Sequence, residues 1–373
     1  MANMILPDLQ PIPFPAPVGL LKPLLVVGFF THVIPMNLAL GGALVSALYL
    51  LAGKHQGNPH AERLGNSMVF SLPFSISLAI TQGIVPLLFL QLVYGPLYYT
   101  SSILMGVPWI AIVPMLLLAY YATYLAKLKG KVLSAWVPYV LMGVFAIFAV
   151  IGFFFTNNMT LMLKPDTWHQ FLVEGKTGLA LNLLEPTLWS RYLHFALAAF
   201  AVTGLGIGTM GLYWKKRQPE YASWLIRQGS AWYLGVTLLQ VFVGFWFLFA
   251  LPEDIRQNFL GGDKAGTHLF NLSNGLSLVS IVAMGLAWSR QSFGWFTTGL
   301  TSALGVVFSM TWMRHLLRDY TVSSFFSPEK APVTPQWDLL IAFGILTVGT
   351  IIYLAWLGKI TVKAFDTPQD THS

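Results

Sequence analysis

Three histidines lie inside long apolar segments, where an imidazole can bind a metal. His32 lies in GFFTHVIPMNLALGG, His194 in PTLWSRYLHFALAAF and His315 in SMTWMRHLLRDY. A neutral imidazole in an apolar environment is a common ligand of haem iron, although each histidine could instead be a hydrogen-bonded packing residue. The small residues Gly41, Gly42 and Ala196 would leave room for a flat macrocycle. We therefore expect b-type haem, with these histidines as metal ligands.

The sequence contains no cysteine. Disulfides, thiolate metal sites, iron–sulfur clusters and the covalent attachment of c-type haem are therefore excluded. Any metal cofactor has to use histidine, methionine or carboxylate ligands.

Arginines accompany two of the candidate ligands. Arg191 precedes His194 by three residues, while Arg314 and Arg318 flank His315. Guanidinium groups pair well with carboxylates such as haem propionates. The alternative is that these arginines extend towards the headgroup layer as interface residues.

Two glutamines are the notable polar residues of the second apolar segment, ITQGIVPLLFLQLVYG. They are Gln82 and Gln91. Their amides could bind a quinone oxygen or could bridge neighbouring helices by hydrogen bonds. Both interpretations stay open on the sequence alone.

The composition indicates that these side chains are positioned by membrane-spanning helices. Apolar residues make up 55% of the 373-residue chain and charged residues 9%, with a mean hydropathy of +0.66. These values exclude an ordinary soluble globule with a polar shell. No change in composition marks a soluble domain, so we predict a single integral membrane domain over residues 1–373.

Apolar runs of membrane-spanning length predict an all-α, polytopic transmembrane helix bundle with about nine spans. The predicted spans lie near 19–53, 66–99, 107–126, 134–156, 187–214, 225–251, 268–289, 295–318 and 338–358.

Charge asymmetry predicts the topology. Basic residues concentrate in the loops that begin at Lys54, Lys127, Lys215 and Ser289 and in the C-terminal tail, while the opposite loops hold most of the acids. By the positive-inside rule, the N-terminus lies outside and the C-terminus is cytoplasmic. The net charge of +7 is thus a topology signal and does not indicate nucleic-acid binding. We expect a multi-pass protein of a bacterial or archaeal inner membrane, with the three histidines in the outer half of the bilayer.

Several segments resemble subunit I of the cytochrome bd quinol oxidases. They are THVIPMNLALGG, FFFTNNMTLM and LNLLEPTLWSRYLHFALAAFAVTG. The resemblance implies that His32 ligates a haem of an active-site pair and that His194 ligates a low-spin haem. It also places Asn157 at the Asn-containing end of the family's helix 4, which is the fourth predicted span here.

A later stretch carries the same resemblance with a changed ligand. The family has a Trp, a haem-ligating Glu and an Arg, and here Trp312, His315 and Arg318 occupy a stretch one residue shorter. The resemblance implies that His315 replaces the glutamate.

The chain also departs from the family. Phe89 and Leu90 stand where the family has a glutamate of the proton path before Gln91. The quinol-binding loop is reduced to about 252–267, and the family's methionine ligand of the low-spin haem falls near Gly275. These differences put oxygen reduction and the usual quinol site in question.

Three functional hypotheses follow. The first is a subunit with two or three b-type haems in a quinol-dependent oxidoreductase. It would transfer electrons between the membrane quinone pool and a cytochrome c or another redox partner on the periplasmic side, with a second membrane subunit as a further expected partner. The second is a bd-type terminal oxidase subunit that reduces oxygen, and the third is a haem-free transporter or scaffold subunit.

Overall fold

The computed structural model describes residues 13–175 and 178–366, and these residues are predominantly helical. The α-helices within these ranges are α1 (Val18–Gln56), α2 (Pro59–Val93), α3 (Gly95–Leu104), α4 (Gly106–Leu128), α5 (Gly130–Leu133), α6 (Val137–Met162), α7 (Trp168–Val173), α8 (Leu188–Trp214), α9 (Pro219–Ala250), α10 (Glu253–Gln257), α11 (Lys264–Arg290), α12 (Phe293–Val322) and α13 (Trp337–Asp366). Short 3-10 turns occupy Pro165–Thr167 and Pro328–Lys330, and a π-helical turn occupies Asn258–Gly262.

Eight of these helices, α1, α2, α4, α6, α8, α9, α11 and α12, are long and apolar enough to cross a membrane. They coincide with the first eight predicted spans, so the prediction of an all-α membrane bundle is confirmed. The ninth predicted span, 338–358, falls within α13, whose apolar part is Trp337–Thr350 in the described side chains. The orientation of the termini relative to the membrane stays a prediction.

The second span differs most from its predicted bounds. It begins earlier, at Pro59, because the chain turns sharply at Gly57 (φ 61°) and Asn58 then caps the new helix. The Asn58 side chain accepts hydrogen bonds from the backbone N–H of His60 at 3.0 Å and of Ala61 at 3.2 Å. The span also ends earlier than predicted, since Tyr94 separates α2 from the short helix α3.

Consecutive helices pack as hairpins, with α1 against α2, α8 against α9 and α11 against α12. Helix α1 also contacts α6, α8 and α12 and is therefore central to the bundle. At its closest approach to α8, a Cβ atom on Gly41 would lie 2.4 Å from the backbone oxygen of Ala199. Gly41 thus permits tight helix packing, and our expectation that it leaves room for a macrocycle is wrong.

One end of the bundle brings together the start of α1 and the ends of α2 and α12. Lys22 in α1 forms an ion pair with Asp319 in α12, and Tyr94 at the end of α2 donates a hydrogen bond to the same carboxylate. The segment before α1 is held at this end as well. The Phe14 N–H donates to Pro332 O at 2.8 Å, and Phe14 O accepts from the Thr334 N–H at 2.9 Å. These contacts fix the helix ends that carry the candidate site.

Candidate functional site

A cleft between α1 and α12 brings several of the predicted site residues together. It is narrow and partly open to the surface, and it is lined by Leu25, Val26, Phe29, Thr311, Arg314, His315 and Arg318. Side chains three or four residues apart lie on one face of a helix, which explains why Thr311, Arg314, His315 and Arg318 line the same wall. By the helical rise, His315 lies about 10 Å from the end of α12.

His315 is the most completely described of the candidate ligands. Its side chain is buried, and Nε2 lies 3.4 Å from Oδ2 of Asp319. This contact brings the carboxylate near the ring but is not a hydrogen bond, so it does not fix the tautomer. Nδ1 is buried without a hydrogen-bond partner, so no protein group competes with a metal for this nitrogen.

His32 has a tautomer defined by its hydrogen bond. Its Nδ1 lies 2.9 Å from the backbone oxygen of Ala79 in α2, and a carbonyl accepts only, so the proton belongs on Nδ1 and Nε2 is left as the ligand atom. Gly83 faces the ring, because a Cβ there would lie 2.9 Å from Cε1 of His32. Any larger residue at Gly83 would displace the imidazole.

His194 lies about 9 Å from the start of α8 and faces α9. Its Nδ1 is buried without a hydrogen-bond partner, and the nearest glycine, Gly244, would place a Cβ 3.6 Å from Cε1. Gln240, which like Gly244 lies on α9, donates a hydrogen bond to the backbone oxygen of His194 at 3.3 Å. The imidazole is therefore positioned by backbone packing and keeps a free nitrogen.

The three predicted arginines converge. Arg191 and Arg318 are buried, and Arg314 lies close enough to both for their positive charges to repel. The guanidinium carbon of Arg314 lies 4.1 Å from the ring centre of Phe29 and 5.6 Å from that of Phe195, so this side chain sits between α1 and α8.

The positive charge of this cluster is only partly compensated. Glu185 attracts Arg191, but Nε of Arg191 is buried without a partner. Among the described residues, no carboxylate forms an ion pair with Arg314 or Arg318. Burying unpaired charges is costly, so the cluster is suited to an anionic group.

An acidic network beside the cleft was missed by the sequence reasoning. Asp319 accepts from Tyr94 and pairs with Lys22 at 2.6 Å, and Lys22 also pairs with Glu329. Partial burial opposes ionisation of Glu329, yet the hydrogen bond from Lys22 keeps the pKa of this carboxyl below its usual value. Lys22 and Asp319 are 297 residues apart, so their pairing carries no local sequence signal.

Two further predicted site residues, Asn157 and Trp312, lie in the helices next to the candidate ligands. Asn157 is fully buried in α6, where Oδ1 accepts from the Asn182 N–H at 3.2 Å and Nδ2 has no partner. Asn157 therefore holds the segment that leads into α8. Trp312 packs on Phe308 with ring centres 6.0 Å apart, one turn from His315.

The two glutamines are not brought together. Gln82 accepts a hydrogen bond from Thr31 of α1 at 3.1 Å, next to the His32 and Gly83 contact. Gln91 accepts from Tyr99 at 3.4 Å and lies about 13 Å further along α2. Gln82 thus links α1 and α2 by a hydrogen bond, and the binding of a quinone by either glutamine stays a prediction.

Within the described ranges, no three His, Cys, Asp or Glu side chains form a group that could hold a bare metal ion. Single imidazoles with a free nitrogen fit haem instead, because haem brings its own nitrogen ligands and needs the protein only along its axis. The uncompensated arginines fit its propionates. The cleft has room for about one water molecule, far less than the ~300–1,000 Å³ of usual ligand pockets, so the Phe29 and Arg314 side chains would have to move apart to admit a macrocycle.

No protein-family model and no curated protein matches the sequence. Among solved structures, the chain is similar to a chain of the bd oxidase from Geobacillus thermodenitrificans. The two share 12% sequence identity with a TM-score of 0.73, and the match covers 93% of this chain and 98% of the other. The resemblance predicted from the sequence is therefore confirmed as a divergent one, and this chain has the fold of a bd oxidase chain.

Proposed function

We propose that this chain is a haem b-binding membrane subunit of a respiratory complex. It would transfer electrons between the membrane quinone pool and a cytochrome c or another redox partner on the periplasmic side. The observation that carries the proposal is the cluster of buried Arg191 and Arg318 with half-buried Arg314, whose charges are only partly compensated, beside imidazoles with free nitrogens. An anionic cofactor would offset the cost of holding these repelling charges together.

The proposed ligand atoms are Nε2 of His32 and one ring nitrogen each of His194 and His315, for two or three haems in all. Bound haem supplies reversible one-electron transfer. Arg191, Arg314 and Arg318 neutralise carboxylates of the cofactor, and Gly83 and Gly244 keep the space around two of the imidazoles. This division of roles needs no nucleophilic side chain.

The proposed supports of the cofactor are Asn157 and Trp312. Asn157 fixes the segment before α8 through Asn182, and Trp312 packs beside His315 on the same helix. Both would keep the ligand-bearing helices in register and exclude water from the cleft.

A quinone ring is proposed to bind near the seam between α1 and α2. Gln82 and Thr31 present polar groups there, and Thr31 is exposed on the outside of the helix pair. A quinone could therefore approach from the lipid and place an oxygen near Gln82. Gln91 is the second candidate for a quinone oxygen, further along α2.

A second candidate function is oxygen reduction, which the bd oxidase fold favours. The apolar stretch of α2, with Phe89 and Leu90 before Gln91, argues for the first proposal, because it offers no acidic side chain for proton delivery. A haem-free transporter would leave the arginine cluster without an explanation.

The test is an assay of the purified protein with a reduced quinol, cytochrome c and an oxygen electrode. We expect quinol to reduce the haems and cytochrome c to reoxidise them, while oxygen consumption stays at the background level. His32→Ala, His194→Ala and His315→Ala should each abolish transfer, whereas His55→Ala, an exposed histidine at the end of α1, should not. Rapid oxygen consumption would favour the oxidase, and haem that quinol does not reduce would overturn the quinone role.

A further inference from the structure

Helix α11 carries two asparagines on the face that points away from the bundle. Ser273 and Ser280 are buried and mark the side of the helix that packs against the other helices. By the geometry of an α-helix, Asn271 lies opposite this side, and Asn274 lies about 60° around the helix from Asn271. Both asparagine side chains are exposed, as this placement requires.

Both asparagines lie in the hydrophobic part of the span. The helix extends for about 40 Å from Lys264 to Arg290, and since charged residues mark its two ends, its midpoint lies near the centre of the bilayer. By the helical rise, Asn274 lies about 5 Å and Asn271 about 9 Å from that midpoint. The hydrocarbon core extends ~15 Å to either side of its centre, so the lipid offers these amides no hydrogen-bonding groups.

Neither amide has a partner within the described part of the chain. Among residues 13–175 and 178–366, no group forms a hydrogen bond with the side chain of Asn271 or Asn274. A side-chain amide has two donor hydrogens and an acceptor oxygen, and leaving them unsatisfied in hydrocarbon is costly. Polar side chains of membrane helices commonly bond to a neighbouring helix. We therefore expect a second polypeptide to supply the missing groups.

Two glycines on the same face are not explained by packing within the chain. A Cβ atom added to Gly275 or Gly285 would meet nothing within 4 Å. Glycine weakens a helix relative to alanine, but it allows another membrane helix to approach closely. Open space beside these glycines therefore agrees with a contact made from outside the chain.

The spacing of the outward residues is typical of a helix that packs along another helix. Asn271, Asn274, Leu278 and Val282 follow one another at intervals of three and four residues. Leu278 is 64% and Val282 53% exposed, so the same face continues beyond the asparagines. Such intervals form one continuous seam along a helix.

A second copy of this chain would offer matching groups. Two copies in one membrane share the same topology, so a two-fold axis along the membrane normal sets each residue of α11 at the depth of its counterpart. An amide is self-complementary, because its N–H group can donate to the oxygen of an identical amide. No Asp, Glu, Lys or Arg lies between Lys264 and Arg290, so no charge opposes the contact.

We propose that the face of α11 defined by Asn271, Asn274, Leu278 and Val282 is the interface of a homodimer. The asparagine amides pair across the two-fold axis, and the two glycines allow the helices to approach closely. The proposal does not depend on haem binding. A haem-free protein that dimerises through this face would contradict the proposed function and support the dimer.

The absence of cysteine from the chain makes disulfide crosslinking a direct test. Leu278→Cys and Leu118→Cys each introduce one thiol near the middle of a span, and the two leucines are similarly exposed, at 64% and 61%. Leu118 is the control, because it lies in α4, which packs against α2 and α6. A disulfide needs Cβ atoms about 4 Å apart, so only thiols that face each other closely are joined.

The crosslinking is carried out in membranes with a copper–phenanthroline oxidant. We expect a covalent dimer of Leu278→Cys and far less of Leu118→Cys. Equal crosslinking of the two variants, or none in either, would overturn the proposal. A wild-type protein that is monomeric in lipid vesicles, while Leu278→Cys crosslinks to a different membrane polypeptide, would assign this face to another subunit and also overturn the homodimer.

Removal of the amides tests the chemistry of the contact. Asn271→Leu and Asn274→Leu each remove one amide pair, so the dissociation constant of the dimer should rise by about 3- to 30-fold in either variant. Energy transfer between labelled copies in lipid vesicles measures this constant. Asn271→Gln keeps an amide and should lose less affinity. Wild-type association of both leucine variants would overturn the pairing of the asparagines.

Discussion

Replacing Gly83 with alanine tests whether His32 is a haem ligand. The new Cβ would lie 2.9 Å from Cε1 and 3.0 Å from Nδ1 of the imidazole, which is too close for the ring to stay where it is. Without cofactor, the ring can turn away and give up its bond to Ala79. With haem bound, the imidazole cannot move without losing its bond to the iron. The steric strain from the new Cβ therefore destabilises the haem-bound state.

Overpacking of this kind costs about 1–3 kcal/mol. If the strain acts only on the bound state, haem affinity falls by about 5- to 150-fold. The higher helix propensity of alanine, about 0.8–1 kcal/mol over glycine, stabilises both states and does not offset this loss. Gly152→Ala in α6 is the control, because no atom lies within 4 Å of its added Cβ.

The assay is a titration of the apoprotein with haem, followed by the difference spectrum. In Gly83→Ala, the difference spectrum should lack the same haem component that is missing in His32→Ala. Gly152→Ala should bind haem with the affinity of the wild type. Wild-type affinity in Gly83→Ala would refute the assignment of His32 as a ligand, since a ligating ring could not tolerate the contact.

Three further predictions concern the surroundings of the site. Arg314→Gln should raise the melting temperature of the apoprotein, because it relieves repulsion from the neighbouring arginines. The same change should weaken haem binding. Melting curves recorded with and without haem should therefore show a higher melting temperature for the apoprotein and a smaller stabilisation by haem. Gly41→Ala should lower the melting temperature strongly, since its Cβ would lie 2.4 Å from the immobile backbone oxygen of Ala199; an unchanged melting temperature would contradict the packing of α1 on α8. The depressed pKa of Glu329 means that its pairing with Lys22 stabilises the protein above pH 4.5, and this contribution is lost as the pH falls through the folded-state pKa; melting temperatures between pH 3 and 7 should show an acid-dependent step that Glu329→Gln removes.

The membrane spans were predictable because the length and the hydropathy of a segment largely determine whether it crosses a bilayer as a helix. Unsatisfied backbone groups are excluded from lipid, so a long apolar run has few alternatives to a helix. The break at Tyr94 is not a matter of hydropathy, because the flanking sequence LVYGPLYY is apolar throughout. It has a local signal in Gly95 and Pro96, since proline cannot continue the hydrogen bonds of α2 and stands instead in the first turn of α3.

The candidate site was predictable in its residue types but not in its contacts. Histidines and arginines in apolar segments are conspicuous, and the fold brings Arg191, Arg314 and Arg318 together. The sequence could not reveal that Lys22 and Asp319 pair across 297 residues. Small residues were also ambiguous, because glycine can leave a cavity or allow two helices to touch, and only the three-dimensional packing distinguishes the two.

The most direct test of the central claim is a haem count on the purified wild-type protein. The protein should be produced with ample haem and analysed by pyridine haemochrome and a reduced-minus-oxidised spectrum. We expect b-type bands and two or three haems per chain, with a decrease in each single variant of His32, His194 and His315. A colourless protein that also fails to bind added haem would contradict the proposed function.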